Sequence, residues 1–293
     1  MSLVSMREIL EEAKREGYAV GYFESWDYGS TEAILKAAED TNIPVIIGFG
    51  VRSFVTPSGW DDRKLACFAK MAGVMAEKSS VPVALMLNET SNLNILTRGM
   101  ELGFNCVMFE GENLPLEKNI SLTSQLVKLG KKLGVDVEAQ VGRIPSEGEK
   151  IKGEFLTSPQ EAEVFVRETG VVALAISVGN VHAFLDKEFS IDLKLLEQIE
   201  SSVDIPLVMH GGTGFPDSLI SEVISRGVHK FNVGTILKRI FLQELKLRLS
   251  RNDLVKIDPN NLIDSGTEED VFKGAYSAIE RLVKQKLKTY TML

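Results

Sequence analysis

The sequence predicts a (β/α)8 barrel of the TIM-barrel class: one domain over residues 1–293, with extra helices at its N- and C-terminal ends. Three observations carry this. Eight short runs rich in Val, Ile and Phe alternate with longer amphipathic stretches, which is the rhythm of repeated βαβ units around a parallel sheet. The strand runs are apolar throughout rather than alternating, as strands covered on both faces are. The length of 293 residues suits an eight-stranded barrel of roughly 250 residues with additions.

In chain order, a helical segment comes first, then strand runs at 19–25, 44–50, 81–87, 105–109, 135–141, 171–178, 205–210 and 230–233. Helical periodicity fills the intervals at 30–40, 61–79, 92–102, 118–133, 159–169, 192–202 and 216–226, follows the last strand at 235–250, and returns after residue 268. Several boundaries carry their own chemistry. Ser30 can cap a helix beginning at Thr31, Asn42-Ile43-Pro44 ends that helix, and Ser158-Pro159 with Glu161 and Glu163 starts another. There is no Gly/Ser linker or low-complexity block. The one loop long enough to act as a lid, 143–156, carries Glu147, Gly148, Glu149 and Gly153.

Composition narrows the function. Hydrophobic residues at 44% and charged residues at 25% are those of a globular chain with a large core. A formal charge of −8 without a basic patch excludes nucleic acid as a partner, while small anions stay open because glycine loops or a metal act locally. No apolar run approaches the roughly 20 residues of a membrane span, and the N-terminus has no signal-peptide core; the expectation is a cytoplasmic protein with no membrane partner. Cys67 and Cys106, without metal or redox spacing, read as buried free thiols.

In a parallel barrel the residues at the C-terminal strand ends converge on one mouth. Here they include Glu24 and Trp26 after the first strand, Asn88 and Glu89 after the third, and Glu110 and Glu112 after the fourth. Glu138 and Gln140 lie on the fifth, and Asn180 and His182 follow the sixth. His210-Gly211-Gly212-Thr213-Gly214 and Asn232-Val233-Gly234-Thr235 close the circle. His229 precedes its strand and belongs to the opposite, structural face. Either remaining histidine alone reads first as a hydrogen-bonded rim residue; together, with Glu89, they form a His-His-Glu set of the kind zinc takes while keeping a position open. The glycines either wrap a phosphate with backbone N–H groups or only permit a tight turn. Trp26 either stacks on a sugar or packs under a loop.

Gly103-Phe104 with Val107-Met108, Leu116-Glu117-Lys118-Asn119-Ile120, Val137-Glu138-Ala139, His210-Gly211-Gly212-Thr213-Gly214 and Asn232-x-x-Thr235 together resemble the class II, metal-dependent fructose/tagatose-bisphosphate aldolase family over nearly the whole chain. The resemblance implies a barrel lyase in carbohydrate metabolism that cleaves a phosphorylated ketose through a zinc-stabilised enediolate. It implies zinc or another divalent cation on three ligands, and assembly as a homodimer or homotetramer. His182 and His210 match two ligand positions. Where the family reads His-Leu-Asp-His-Gly, this chain reads Met86-Leu87-Asn88-Glu89-Thr90, so Glu89 takes the first ligand position and Asn88 that of the catalytic aspartate.

These changes differ in weight: a carboxylate can replace an imidazole on zinc, whereas an amide cannot take up a proton. Losing an acid/base costs roughly 10²–10⁴-fold in rate unless Glu24 or Glu110 takes over. Further departures are Gln140 for a glutamate, Ala183 for a glycine, Gly50 for a serine, and Pro145-Ser146-Glu147-Gly148-Glu149 in the lid. The phosphate-binding set implied by the resemblance is better kept: Gly179, Gly211, Gly212, Thr213, Asn232 and Thr235. The leading expectation is aldol cleavage of a phosphorylated ketose. The alternatives are isomerisation or epimerisation of a sugar phosphate, and a catalytically inactive subunit that binds a sugar phosphate or supports an active aldolase.

Overall fold

The computed structural model describes residues 2–145, 149, 152–182, 191–251 and 256–293. Eight parallel strands close into a barrel: β1 (Val20–Glu24), β2 (Val45–Gly50), β3 (Val83–Thr90), β4 (Cys106–Phe109), β5 (Asp136–Val141), β6 (Ala173–Ile176), β7 (Leu207–Met209) and β8 (Val228–Val233). Each pairs with its neighbours in sequence, and β8 closes on β1. The helix following each strand packs outside it. In order these are α2 (Tyr28–Thr41), α3 (Asp62–Lys78), α4 (Leu93–Leu102), α5 (Leu116–Leu133), α6 (Pro159–Thr169), α7 (Leu193–Glu200), α8 (Asp217–Ile224) and α9 (Thr235–Ser250). A short hairpin, Val55–Thr56 against Gly59–Trp60, stands between β2 and α3.

The core has two shells because side chains alternate across every strand. Odd-numbered residues of β2 and β3, such as Ile47 and Leu85, face the helices in the outer shell. Tyr22, Ile46, Met86, Met108 and Val208 fill the barrel itself. The first helix, α1 (Met6–Glu16), closes the N-terminal end. Ser5 caps it by accepting from the Glu8 N–H, Gly17 stops it in the left-handed region, and Met6, Ile9, Leu10 and Ala13 join the inner shell. Burying each of the three larger side chains is worth about 1.5–3 kcal/mol. At the C-terminal end a single turn, α10 (Pro259–Leu262), precedes α11 (Val271–Thr291), which packs on α2 and α9. Its Tyr290 ring stacks on Phe231 of β8 at 4.6 Å.

The structure corrects four sequence expectations. β8 begins at Val228, so His229 lies on the strand, at its N-terminal end, rather than before it. The N-cap of α2 is Asp27, not Ser30; Ser30 is the reciprocal partner in a capping box whose Oγ accepts from the Asp27 N–H. β3 runs past Leu87 to Thr90, carrying Asn88 and Glu89 on the strand rather than in the loop. Cys106 is buried, but Cys67 is exposed on the outer face of α3, because the apolar run around it is a helix with only one buried stripe. The remaining punctuation stands: Asn42 ends α2 at φ 53° and Ser158 with Pro159 opens α6. No helix among the described residues is long and apolar enough to cross a membrane.

Candidate active site at the barrel mouth

The end of β3 shapes the site. Its pairing with β4 breaks register between Leu87 and Thr90, and Glu89 takes φ 59°, a left-handed conformation that costs a residue with a side chain about 1–3 kcal/mol and collects at functional sites. The bulge turns Glu89 onto the mouth. Asn88 is buried at 3% exposure, and its Oδ1 has no hydrogen-bond partner, an unsatisfied acceptor of the kind that ligand sites hold in reserve.

His210 follows β7 and is buried. Its Nδ1 lies 3.2 Å from Glu89 Oε1, and its Nε2 points into the barrel, 2.9 Å from Asn232 Nδ2 and 3.4 Å from Glu138 Oε1. The His182 ring stands perpendicular to it with centroids 6.0 Å apart. Burial pushes the His210 imidazolium toward losing its proton, but hydrogen bonding to Glu138 and Glu89 reverses this and raises its pKa. Burial and the neighbouring His210 lower that of His182. Burial raises the Glu89 carboxyl, yet contact with His210 and the proximity of His182 outweigh it and hold it at about 2. More than a third of the Glu89 side chain stays exposed, so solvent screens part of that pairing.

One carboxylate and two imidazoles match the donors of a catalytic zinc or similar divalent cation. The unsatisfied Asn88 Oδ1 and the strained Glu89 backbone mark the same spot. The three candidate ligands are neighbours rather than a closed cage: among the described residues no three His, Cys, Asp or Glu groups converge as tightly as a metal site.

The two glycine motifs meet. The Ile236 N–H donates to Thr213 Oγ1 at 3.3 Å and the Gly212 N–H to the Asn232 carbonyl at 3.0 Å. A side chain on Gly211, which sits at φ 80°, would strike the Val181 carbonyl, and one on Gly212 would strike that of Asn232, so packing alone requires both glycines. Gly179 turns the β6 loop at φ 102°. Asn180 staples that loop to the rest of the mouth by donating to the carbonyls of Ile176 and His210. α9 starts at the exposed Thr235; its N-cap is Gly234, and Thr213 Oγ1 takes the Ile236 N–H. The positive end of the helix dipole faces the mouth.

The acidic candidates separate. Glu24 is engaged: its Oε1 accepts from Lys238 Nζ at 2.8 Å, and a side chain on either Gly50 or Gly234 would collide with its carboxylate. Glu112 is also engaged, accepting from Gln140 Nε2 at 2.9 Å and from the Ile144 N–H. Glu110 carries no side-chain hydrogen bond or ion pair among the described residues. Burial, then the charges of Glu89 and Glu112, raise its pKa. Trp26 packs edge-on against Phe241 at 5.5 Å, and His229 meets the Tyr18 carbonyl at the barrel's other end through Nδ1 at 2.8 Å. Of the lid, Ser146, Glu147, Gly148, Lys150 and Ile151 lie outside the described residues, as does Ala183.

Sequence reasoning missed Lys230 and set Glu138 at the mouth rather than below it. Lys230 and Glu138 are fully buried in the barrel with Nζ and Oε2 2.9 Å apart. A lysine inside an otherwise apolar strand run was the available signal. Arg52, after β2, was also missed, and its charge acts on both Glu110 and His182.

The model of the class II fructose-bisphosphate aldolase family matches residues 4–291. The fructose-bisphosphate aldolase of Geobacillus stearothermophilus is 35% identical over 271 residues, 92% of this chain and 93% of that one. A probable fructose-bisphosphate aldolase of Bacillus subtilis is 36% identical over 238 residues, 80% and 82% of the two chains. Among solved structures, the YdjI aldolase of Escherichia coli K12 superposes with a TM-score of 0.81 at 25% identity over 98% of this chain and 97% of that one. The closed eight-stranded barrel is the fold of the aldolase it superposes on. The chain belongs to the class II fructose-bisphosphate aldolase family.

Proposed function

We propose that the protein is a metal-dependent aldehyde-lyase that cleaves a phosphorylated ketose, with Glu89, His182 and His210 holding a divalent cation, zinc by its donor set. The observation that carries this reading is the Glu89–His210 contact with His182 beside it, at the mouth where the two glycine loops meet. The cation, when bound, supplies Lewis-acid polarisation of a substrate carbonyl.

The chain's own residues do the rest. The loop around Gly211 and Thr213 and the Thr235 end of α9 take the phosphate. Asn88 orients a substrate hydroxyl without taking its proton. Glu110, without a side-chain partner among the described residues and with its affinity for a proton raised, removes the proton from the hydroxyl whose C–O becomes the aldehyde as the carbon–carbon bond breaks. A carboxyl poised in this way also suits proton transfer at carbon, so isomerisation or epimerisation of a sugar phosphate is the second reading. The protein is expected to assemble as a homodimer or homotetramer, measured by light scattering.

Ketose mono- and bisphosphates incubated with zinc-loaded protein are expected to release triose phosphate, and chelation is expected to abolish the release. Isomeric hexose phosphates without triose would select the second reading. Binding without turnover would leave a sugar-phosphate-binding barrel. Asn88→Asp combined with Glu89→His is expected to raise cleavage.

A further inference from the structure

The buried pair beneath His210 forms a closed circuit. Lys230 Nζ donates to Asn232 Oδ1 at 2.5 Å and meets Glu138 Oε2 at 2.9 Å as a charge contact off the line of a hydrogen bond. Asn232 Nδ2 reaches His210 Nε2 at 2.9 Å, and Glu138 Oε1 lies 3.4 Å from the same nitrogen. An ammonium only donates, so the amide atom facing Lys230 must be the oxygen, and the atom facing His210 must be the NH2 donor. A donor at 2.9 Å needs a lone pair on Nε2. The ring proton of a neutral His210 therefore sits on Nδ1, directed at Glu89.

We propose that Lys230, held by Glu138, is a positioning residue that sets the tautomer of His210: it locks the Asn232 amide so that the free ring carries its proton on Nδ1, facing Glu89. The lock does not depend on the proposed metal site. It accounts for a feature that packing leaves unexplained, since a buried ion pair contributes little net stability compared with apolar side chains of the same volume.

The test is nitrogen-15 NMR of the metal-free protein at alkaline pH, where the ring is neutral; the chain has only three histidines to assign. His210 protonated on Nδ1 is expected, and a ring protonated on Nε2 overturns the lock. The wild-type spectrum needs no variant, so it decides even if a variant fails to fold. The double variant Glu138→Gln with Lys230→Met removes both charges together. Its free ring is expected to shift toward the Nε2-protonated form. An unchanged tautomer would make the pair merely structural. A wild-type protein with the Nδ1 proton and no zinc uptake keeps the lock and removes the metal reading. Zinc uptake by a ring protonated on Nε2 does the reverse.

Discussion

Glu110 and Glu24 are both glutamates at strand ends of one mouth, and their surroundings give them different work. Glu110 has no side-chain partner among the described residues, and burial, then the charges of Glu89 and Glu112, raise its pKa above the usual glutamate value, so it becomes a base only as pH rises through that raised value. The acidic limb of the kcat profile is expected to lie above the usual glutamate value. Glu110→Gln is expected to lower kcat roughly 10²–10⁴-fold with KM little changed, and an unaltered profile in steady-state assays would remove Glu110 from the chemistry. Glu24 is neutralised by Lys238 and sits against Gly234, at the positive end of the α9 dipole. It competes with an incoming anion for that end. Glu24→Gln is expected to tighten inorganic phosphate binding several-fold by calorimetry, with the gain lost again on adding Lys238→Met.

At the scale of elements, the strands were legible because barrel strands are buried on both faces and stay apolar end to end, as residues 44–50 and 105–109 show. What escaped detection depends on geometry that periodicity does not encode. The extension of β3 hangs on a left-handed glutamate, which no local residue preference announces. Asp27 and Ser30 are both good caps one turn apart, and only the reciprocal hydrogen bonds decide which leads. The Glu138–Lys230 pair joins strands 92 positions apart in sequence (230 minus 138), brought together only by barrel closure. His229, by contrast, was readable as structural: β8 includes it rather than following it, but its position at the start of the strand still puts it at the end away from the mouth. The contact of Tyr290 with Phe231 makes β8 the anchor for α11. Phe231→Ala is expected to cost about 3–5 kcal/mol in urea unfolding, and a loss below 1 kcal/mol (about a fivefold change in the folding equilibrium) would mean that α11 docks elsewhere.

Across the whole molecule, the two ends of the barrel divide the labour. The N-terminal end is sealed by α1 and carries His229 as a structural residue. The C-terminal end exposes strained backbone, an unsatisfied amide and perturbed carboxylates within one mouth. Removing α1 uncovers the inner shell around Val20, Tyr22 and Met86, and its deletion is expected to abolish cooperative thermal unfolding rather than merely lower activity. The central claim is that the mouth holds a cation on Glu89, His182 and His210. The most direct test is the metal content of protein purified without chelator, compared with Glu89→Ala. About one equivalent of zinc per chain in the wild type, lost in the variant, is the result expected for one three-ligand site. Protein that neither carries zinc nor takes it up would contradict the account.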